Sequence, residues 1–129
     1  MKRILGLILM LAFFSSCAES YKVIEPNTFN EQIANRSDIE TPEDLIRVYY
    51  DYPEEEGVPN LNIKSKKLNK NNFEVTLIHE GLMDDSQAGI KIVLKAKKTE
   101  QTWTVSEIKE NWKCWEGRGH TDWGTELCH

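Results

Sequence analysis

Phe73-Glu74-Val75-Thr76-Leu77-Ile78-His79-Glu80 and, after a turn, Ile90-Lys91-Ile92-Val93-Leu94-Lys95-Ala96-Lys97 decide the fold class. On an extended chain successive side chains point to opposite faces, so residues two apart share a face. Phe73, Val75, Leu77 and His79 then share one face, and Glu74, Thr76, Ile78 and Glu80 the other. In the second run Ile90, Ile92, Leu94 and Ala96 alternate with Lys91, Val93, Lys95 and Lys97. One apolar face and one lysine-rich face predict antiparallel strands buried on a single side. Asp84-Asp85-Ser86-Gln87-Ala88-Gly89 between them is turn chemistry. Residues Gln101–Ile108 continue the alternation with a slip, because Trp103 and Val105 are odd while Ile108 and Trp112 are even. A one-residue slip predicts a bulge or bend near Ser106–Ile108.

Upstream, Thr41-Pro42-Glu43-Asp44 reads as a helix start. Thr41 caps, Pro42 suits the first helical position, and two acids favour the positive end of the helix dipole. Leu45, Val48, Tyr49 and Tyr52 fall at i, i+3, i+4 and i+7 as one apolar stripe with Ile46 on its edge, and Pro53 ends the helix. Glu54-Glu55-Glu56-Gly57 reads as a solvated acidic loop, since a calcium loop needs alternating oxygen ligands rather than a plain run. Asn60–Leu68 is a candidate strand whose Lys64, Lys66 and Lys67 suit a sheet edge. Lys70-Asn71-Asn72 is a turn. The expected fold is α+β: one N-terminal helix on a curved antiparallel sheet of three or four strands, each burying the other's apolar face. That pattern resembles the cystatin-like or NTF2-like arrangement across residues 41–113, with no diagnostic motif behind the likeness. The chain carries no internal repeat.

A chain of 129 residues matches one domain. With 40% hydrophobic and 29% charged residues, neither whole-chain disorder nor a polytopic membrane protein fits. A formal charge of −5 argues against a nucleic-acid partner, which would need a basic patch.

Lys2 and Arg3 precede an uncharged apolar run, Ile4–Phe14, too short to span a bilayer as a helix but suited to a signal peptide. The run ends in Phe14-Ser15-Ser16-Cys17, which resembles the lipobox of bacterial lipoproteins, with Phe14 where the family more often has Leu. The resemblance implies a signal peptide over 1–16, a diacylglyceryl thioether on Cys17, and a second acylation at the freed amine. Two or more chains give stable anchoring where one does not. The implied location is the cell envelope, lipid-anchored on the extracytoplasmic side; Ala18 in place of Asp points to the outer membrane where two exist. Losing residues 1–16 removes Lys2 and Arg3 and no acid, which takes the charge from −5 to −7. Such a domain is not drawn to anionic headgroups, so the lipid would hold it there. Residues 17–40 read as the lipidated tether, with Phe29–Asn35 compatible with a short helix or with packing on the domain. The single α+β domain then occupies 41–129.

With Cys17 assigned to lipid, Cys114 and Cys128 form an even pair outside the cytosol and are expected to be bonded. Zinc is the rival, with Cys114, His120, Cys128 and His129 as ligand types, but there is no Cys-x2-Cys knuckle and adjacent Cys128-His129 rarely reach one ion. No metal and no cofactor are expected. Gly117-Arg118-Gly119-His120 lies within the loop. Two readings stand. In one, Trp115, Arg118, His120 and Trp123 form a preorganised binding surface, with Arg118 able to grip a carboxylate or phosphate. In the other, the tryptophans pack under the loop, Arg118 pairs with Asp122 or Glu116, and His120 bonds backbone. The segment from Trp112 to Cys128 resembles the tail of small exported bacterial proteins, a likeness that supplies a disulfide-closed loop and no activity.

No catalytic residue is assigned. His79 and Glu80 are neighbours on a strand and face apart, and no nucleophile elbow, phosphate loop or HExxH is present. The expected function is a monomeric, non-catalytic, membrane-anchored binding module whose 114–128 loop engages an envelope protein or glycan. The alternative is a small ligand-binding or enzymatic pocket of NTF2-like type.

Overall fold

The computed structural model of the protein describes residues 18–51 and 60–129. Cys17, Tyr52, Pro53 and the Glu54–Gly57 run lie outside the described residues. Strands β1 (Lys22–Ile24), β2 (Leu61–Lys67), β3 (Asn72–Glu80), β4 (Gln87–Thr99) and β5 (Thr102–Cys114) form one antiparallel sheet in the order β1-β5-β4-β3-β2. Helices α1 (Asn27–Ile33) and α2 (Pro42–Tyr49) share one core with its apolar face. The α+β class and the helix-on-sheet arrangement stand. The count is corrected: among the described residues the sheet has five strands rather than three or four, and two helices cover it rather than one.

The alternation in β3 and β4 becomes cross-strand rows. Val75 pairs with Leu94 and Leu94 with Ile108, while Leu77 pairs with Ile92. All five of these side chains are buried. The slip in β5 is a bulge. Lys95 pairs with Glu107 and Ala96 with Val105, leaving Ser106 as the extra residue, its hydroxyl donating to the Lys95 carbonyl at 3.2 Å. The extra residue lets odd-numbered Trp103 and Val105 and even-numbered Ile108 all face the core. On β2 the lysines line the free edge of the sheet, as their positions suggested.

The Thr41 hydroxyl accepts from the Asp44 amide at 3.1 Å, and the Asp44 carboxylate accepts from the Thr41 amide at 3.0 Å, closing a capping box. Leu45 and Ile46 are both fully buried. Ile46, expected on the stripe's edge, lies inside, in the face that α2 packs on β3 and β2; from α1, Phe29 meets Tyr49 edge-on at 5.2 Å.

The tether reading of 17–40 is corrected over its described part. β1 pairs with the edge of β5, Lys22 opposite Glu110 and Ile24 opposite Ile108. Phe29, Ile33 and Ile39 are core residues. Asn30 continues the edge pairing with its side chain, accepting from the Val105 amide at 2.7 Å and donating to the Val105 carbonyl at 2.9 Å. The Trp103 indole donates to the Ile39 carbonyl at 3.0 Å. The folded unit therefore includes the chain ahead of residue 41.

Candidate functional site

Beyond β5 the chain folds back over the end of the sheet as a cap. Cys114 and Cys128 are disulfide-bonded, with Cα atoms 5.5 Å apart. Trp112 and Gly124 exchange two backbone hydrogen bonds of 2.9 and 2.8 Å. The Cys114 amide donates to the His120 carbonyl at 2.8 Å, and the His129 amide to the Arg118 carbonyl at 2.7 Å. Gly119 has φ +143°, and a Cβ there would come within 2.8 Å of the Cys114 sulfur, so only glycine lets this loop close over the disulfide.

The four candidate binding residues are brought to this cap, but not all as free groups. Arg118 donates to the His129 carbonyl at 3.2 Å, which corrects the expected pairing with Asp122 or Glu116. His120 lies between two carbonyls, Nδ1 2.8 Å from that of Asp122 and Nε2 2.9 Å from that of Glu126. A carbonyl only accepts, so satisfying both requires both ring nitrogens to carry protons. The Asp122 and Glu126 carbonyls accordingly raise the His120 pKa above the ordinary imidazole value. The backbone role expected for His120 in the structural reading is what is found. Trp115 is 41% exposed, its indole donating to the Asp84 carbonyl at 2.9 Å and its amide to the Ser86 carbonyl. Asp84 in turn shapes the β3–β4 turn by accepting from the Ser86 and Gln87 amides, bonds that lower its pKa. Met83 on the same turn and Leu127 beside the disulfide are exposed apolar side chains at this end of the sheet.

Trp123 lies on the sheet's outer face, in contact range of the small Gly89. The Lys91 and Lys113 ammonium groups sit 4.7 and 4.9 Å from its ring centre. Lys113 also pairs with Glu80. Further along, Lys109 lies 4.7 Å over the Tyr21 ring. The Tyr21 hydroxyl donates to Glu19, and burial first, then that carboxylate, pushes its pKa up to about 12. Asn111 is fully buried beneath this segment. The lysine face expected to be open to water is thus partly roofed by aromatic rings, a cover that strand periodicity does not encode. Ser20, Asp122, Trp123, Thr125 and Glu126 line an open groove of about 270 Å³ at the cap.

Of the four groups named in the zinc reading, three are neighbours and His129 is not among them. Ligand atoms of Cys114, His120 and Cys128 lie within 4.8 Å of one another. In the oxidised chain the sulfurs bond each other and both ring nitrogens face carbonyls, so the three groups close the loop.

On the helix side, the sequence reading missed Glu110 and two tyrosines. The Tyr49 hydroxyl donates to Glu110 at 2.7 Å, and burial, then that carboxylate, raises the tyrosine pKa. The Tyr50 hydroxyl lies 2.8 Å from His79 Nδ1, and burial lowers the histidine pKa. Each ionisable group is engaged by its tyrosine, and the groove at the cap does not open on them. Among the described residues no helix is long and apolar enough to cross a membrane. No family model, curated protein or solved structure matches the chain.

Proposed function

We propose that the protein is a lipid-anchored, non-catalytic binding module of the cell envelope, held by acylated Cys17 and engaging an envelope protein or glycan through its 114–128 cap. The observation that carries this reading is the cap's rigidity combined with exposed apolar groups. A disulfide and a set of backbone hydrogen bonds fix the loop, while Trp115 and Leu127 remain 41% and 81% exposed. A surface ordered before it binds loses little conformational entropy on association, and a partly exposed tryptophan is a strong anchor. Arg118 and His120 hold the loop's shape in this reading, and Trp115 and Leu127 make the contact.

Two measurements test it. Mass spectrometry of the protein from its native envelope is expected to show acyl mass on Cys17 and a two-hydrogen deficit across Cys114 and Cys128. Cross-linking to envelope components is expected to fall at least tenfold in Trp115→Ala/Leu127→Ser, assayed well below its thermal unfolding and with native-like circular dichroism. Undiminished cross-linking in that variant removes the cap as the binding surface.

A further inference from the structure

Near the start of the described residues the chain is already bound beside the cap. Glu19 accepts from Lys91 Nζ at 2.6 Å and from the Asn111 amide at 3.2 Å, and the Ser20 carbonyl accepts from the same amide at 3.1 Å. These contacts lower the Glu19 pKa, the Lys91 hydrogen bond foremost. The ammonium that holds Glu19 is the one lying over Trp123, and Ser20 forms one wall of the cap groove. Three residues later β1 is already paired to β5. The entry of the chain and the 114–128 loop therefore occupy one end of the molecule.

Cys17 precedes Glu19 by two residues, and an extended residue spans at most ~3.6 Å, so an anchor at Cys17 starts within about 7 Å of Glu19. A flexible spacer reaching to residue 40 would instead let the domain drift by roughly 27 Å. From this difference in reach we infer that the cap is the membrane-facing end of the domain, with the rim formed by Ser20, Trp123 and Thr125 resting on the lipid headgroups. The occupant of that rim is the bilayer surface. Charge does not bring it there, because the mature chain is acidic; the short connection does, and an aromatic ring at the rim suits the headgroup region. A partner of the loop must then approach at headgroup level. The inference rests on the proposed anchoring at Cys17 and gives that anchoring a direction.

The test supplies the anchor chemically, so it does not depend on native acylation. The chain from Cys17 to His129 contains every described element, and with Cys114 and Cys128 bonded its one free thiol is Cys17. It is coupled to phosphatidylcholine vesicles that carry maleimide lipid and nitroxide-headgroup lipid, and tryptophan fluorescence is read. Trp103 is an internal reference, since β5 runs roughly 40 Å from Thr102 to the cap. Quenching is expected to be at least threefold greater in coupled than in uncoupled protein and, as a fraction of the emission, to be no smaller in Trp103→Phe, which removes the unquenched reference. Inserting twenty Gly/Ser residues between Cys17 and Ala18, which leaves the domain untouched, is expected to return quenching to the uncoupled level. Quenching no greater than in the uncoupled sample, quenching indifferent to the insertion, or quenching lost in Trp103→Phe overturns the inference. Unmodified Cys17 in the native envelope would overturn the anchoring proposal and leave the coupled-vesicle result standing.

Discussion

Replacing Cys114 and Cys128 together by alanine removes the covalent closure and leaves the hydrogen bonds of the cap in place. The two positions are 14 apart in sequence. In the chain-entropy model a loop of about 15 residues contributes roughly 3 kcal/mol, because the bond narrows the unfolded ensemble. The folded cap does not depend on the bond alone. The Trp112–Gly124 pair, the Cys114 amide on the His120 carbonyl and the His129 amide on the Arg118 carbonyl all persist, each with a net value of about 1 kcal/mol. The variant is therefore expected to fold with the cap closed and to lose about 3 kcal/mol in urea unfolding, with a dependence on denaturant no smaller than that of the bonded chain, because the released unfolded chain exposes at least as much surface. At this chain size a loss of 1 kcal/mol lowers Tm by about 4 °C, so thermal unfolding is expected to drop by roughly 12 °C. A loss below about 1 kcal/mol, with native-like circular dichroism, would refute the reasoning, because the tail would then unfold apart from the sheet and its closure would not bear on the cooperative unit.

Asn30→Ala removes both side-chain hydrogen bonds to Val105 and leaves its partly buried amide and carbonyl without partners, at an expected cost of about 2–3 kcal/mol in chemical denaturation; a loss under about 0.5 kcal/mol would show that α1 is not held through this residue. His120 predicts a pH dependence. Its folded pKa is raised, so its contribution is complete below the unfolded value near 6.5 and is lost as pH rises through the higher folded value. His79, whose pKa burial lowers, contributes the opposite slope in the same window, so the readout is the difference from a variant that keeps it: between about pH 5.5 and pH 8.5 the urea midpoint is expected to shift downward relative to that of His120→Gln, and equal pH profiles for the two proteins would remove the two-carbonyl clamp.

Much of the sheet was legible because β3 and β4 alternate over eight or more residues, long enough for period two to stand out. Thr41 and Asp44 announced their cap through chemistry at fixed spacing, and the change of parity between Val105 and Ile108 located Ser106. The pairing of Cys114 with Cys128 followed from there being one sensible partner. What escaped was short or non-periodic. β1 has three residues and α1 seven, so Ile24, Phe29, Ile33 and Ile39 reach the core through strand, helix and loop in turn and show no common period. The bonds of Asn30 to Val105 and of Glu19 to Lys91 span more than 70 residues, beyond any local pattern. In the cap, sequence supplied Trp115, Arg118, His120 and Trp123 as a group. Only the fold divides them into the side chains that hold the loop and those that face outward, because the backbone carbonyls that engage Arg118 and His120 leave no trace in residue type.

Ser106 has no partner on β4, whereas Val105 and Glu107 face the consecutive residues Ala96 and Lys95. Deleting it would join two segments that are already in phase, so Trp103, Val105 and Ile108 would alternate plainly and all stay in the core. Cys114 would keep its approach to Cys128. What would go is the local bend that an unmatched residue puts into a strand. The same buried rows and the same oxidative closure are therefore open to a β5 that is one residue shorter and straighter.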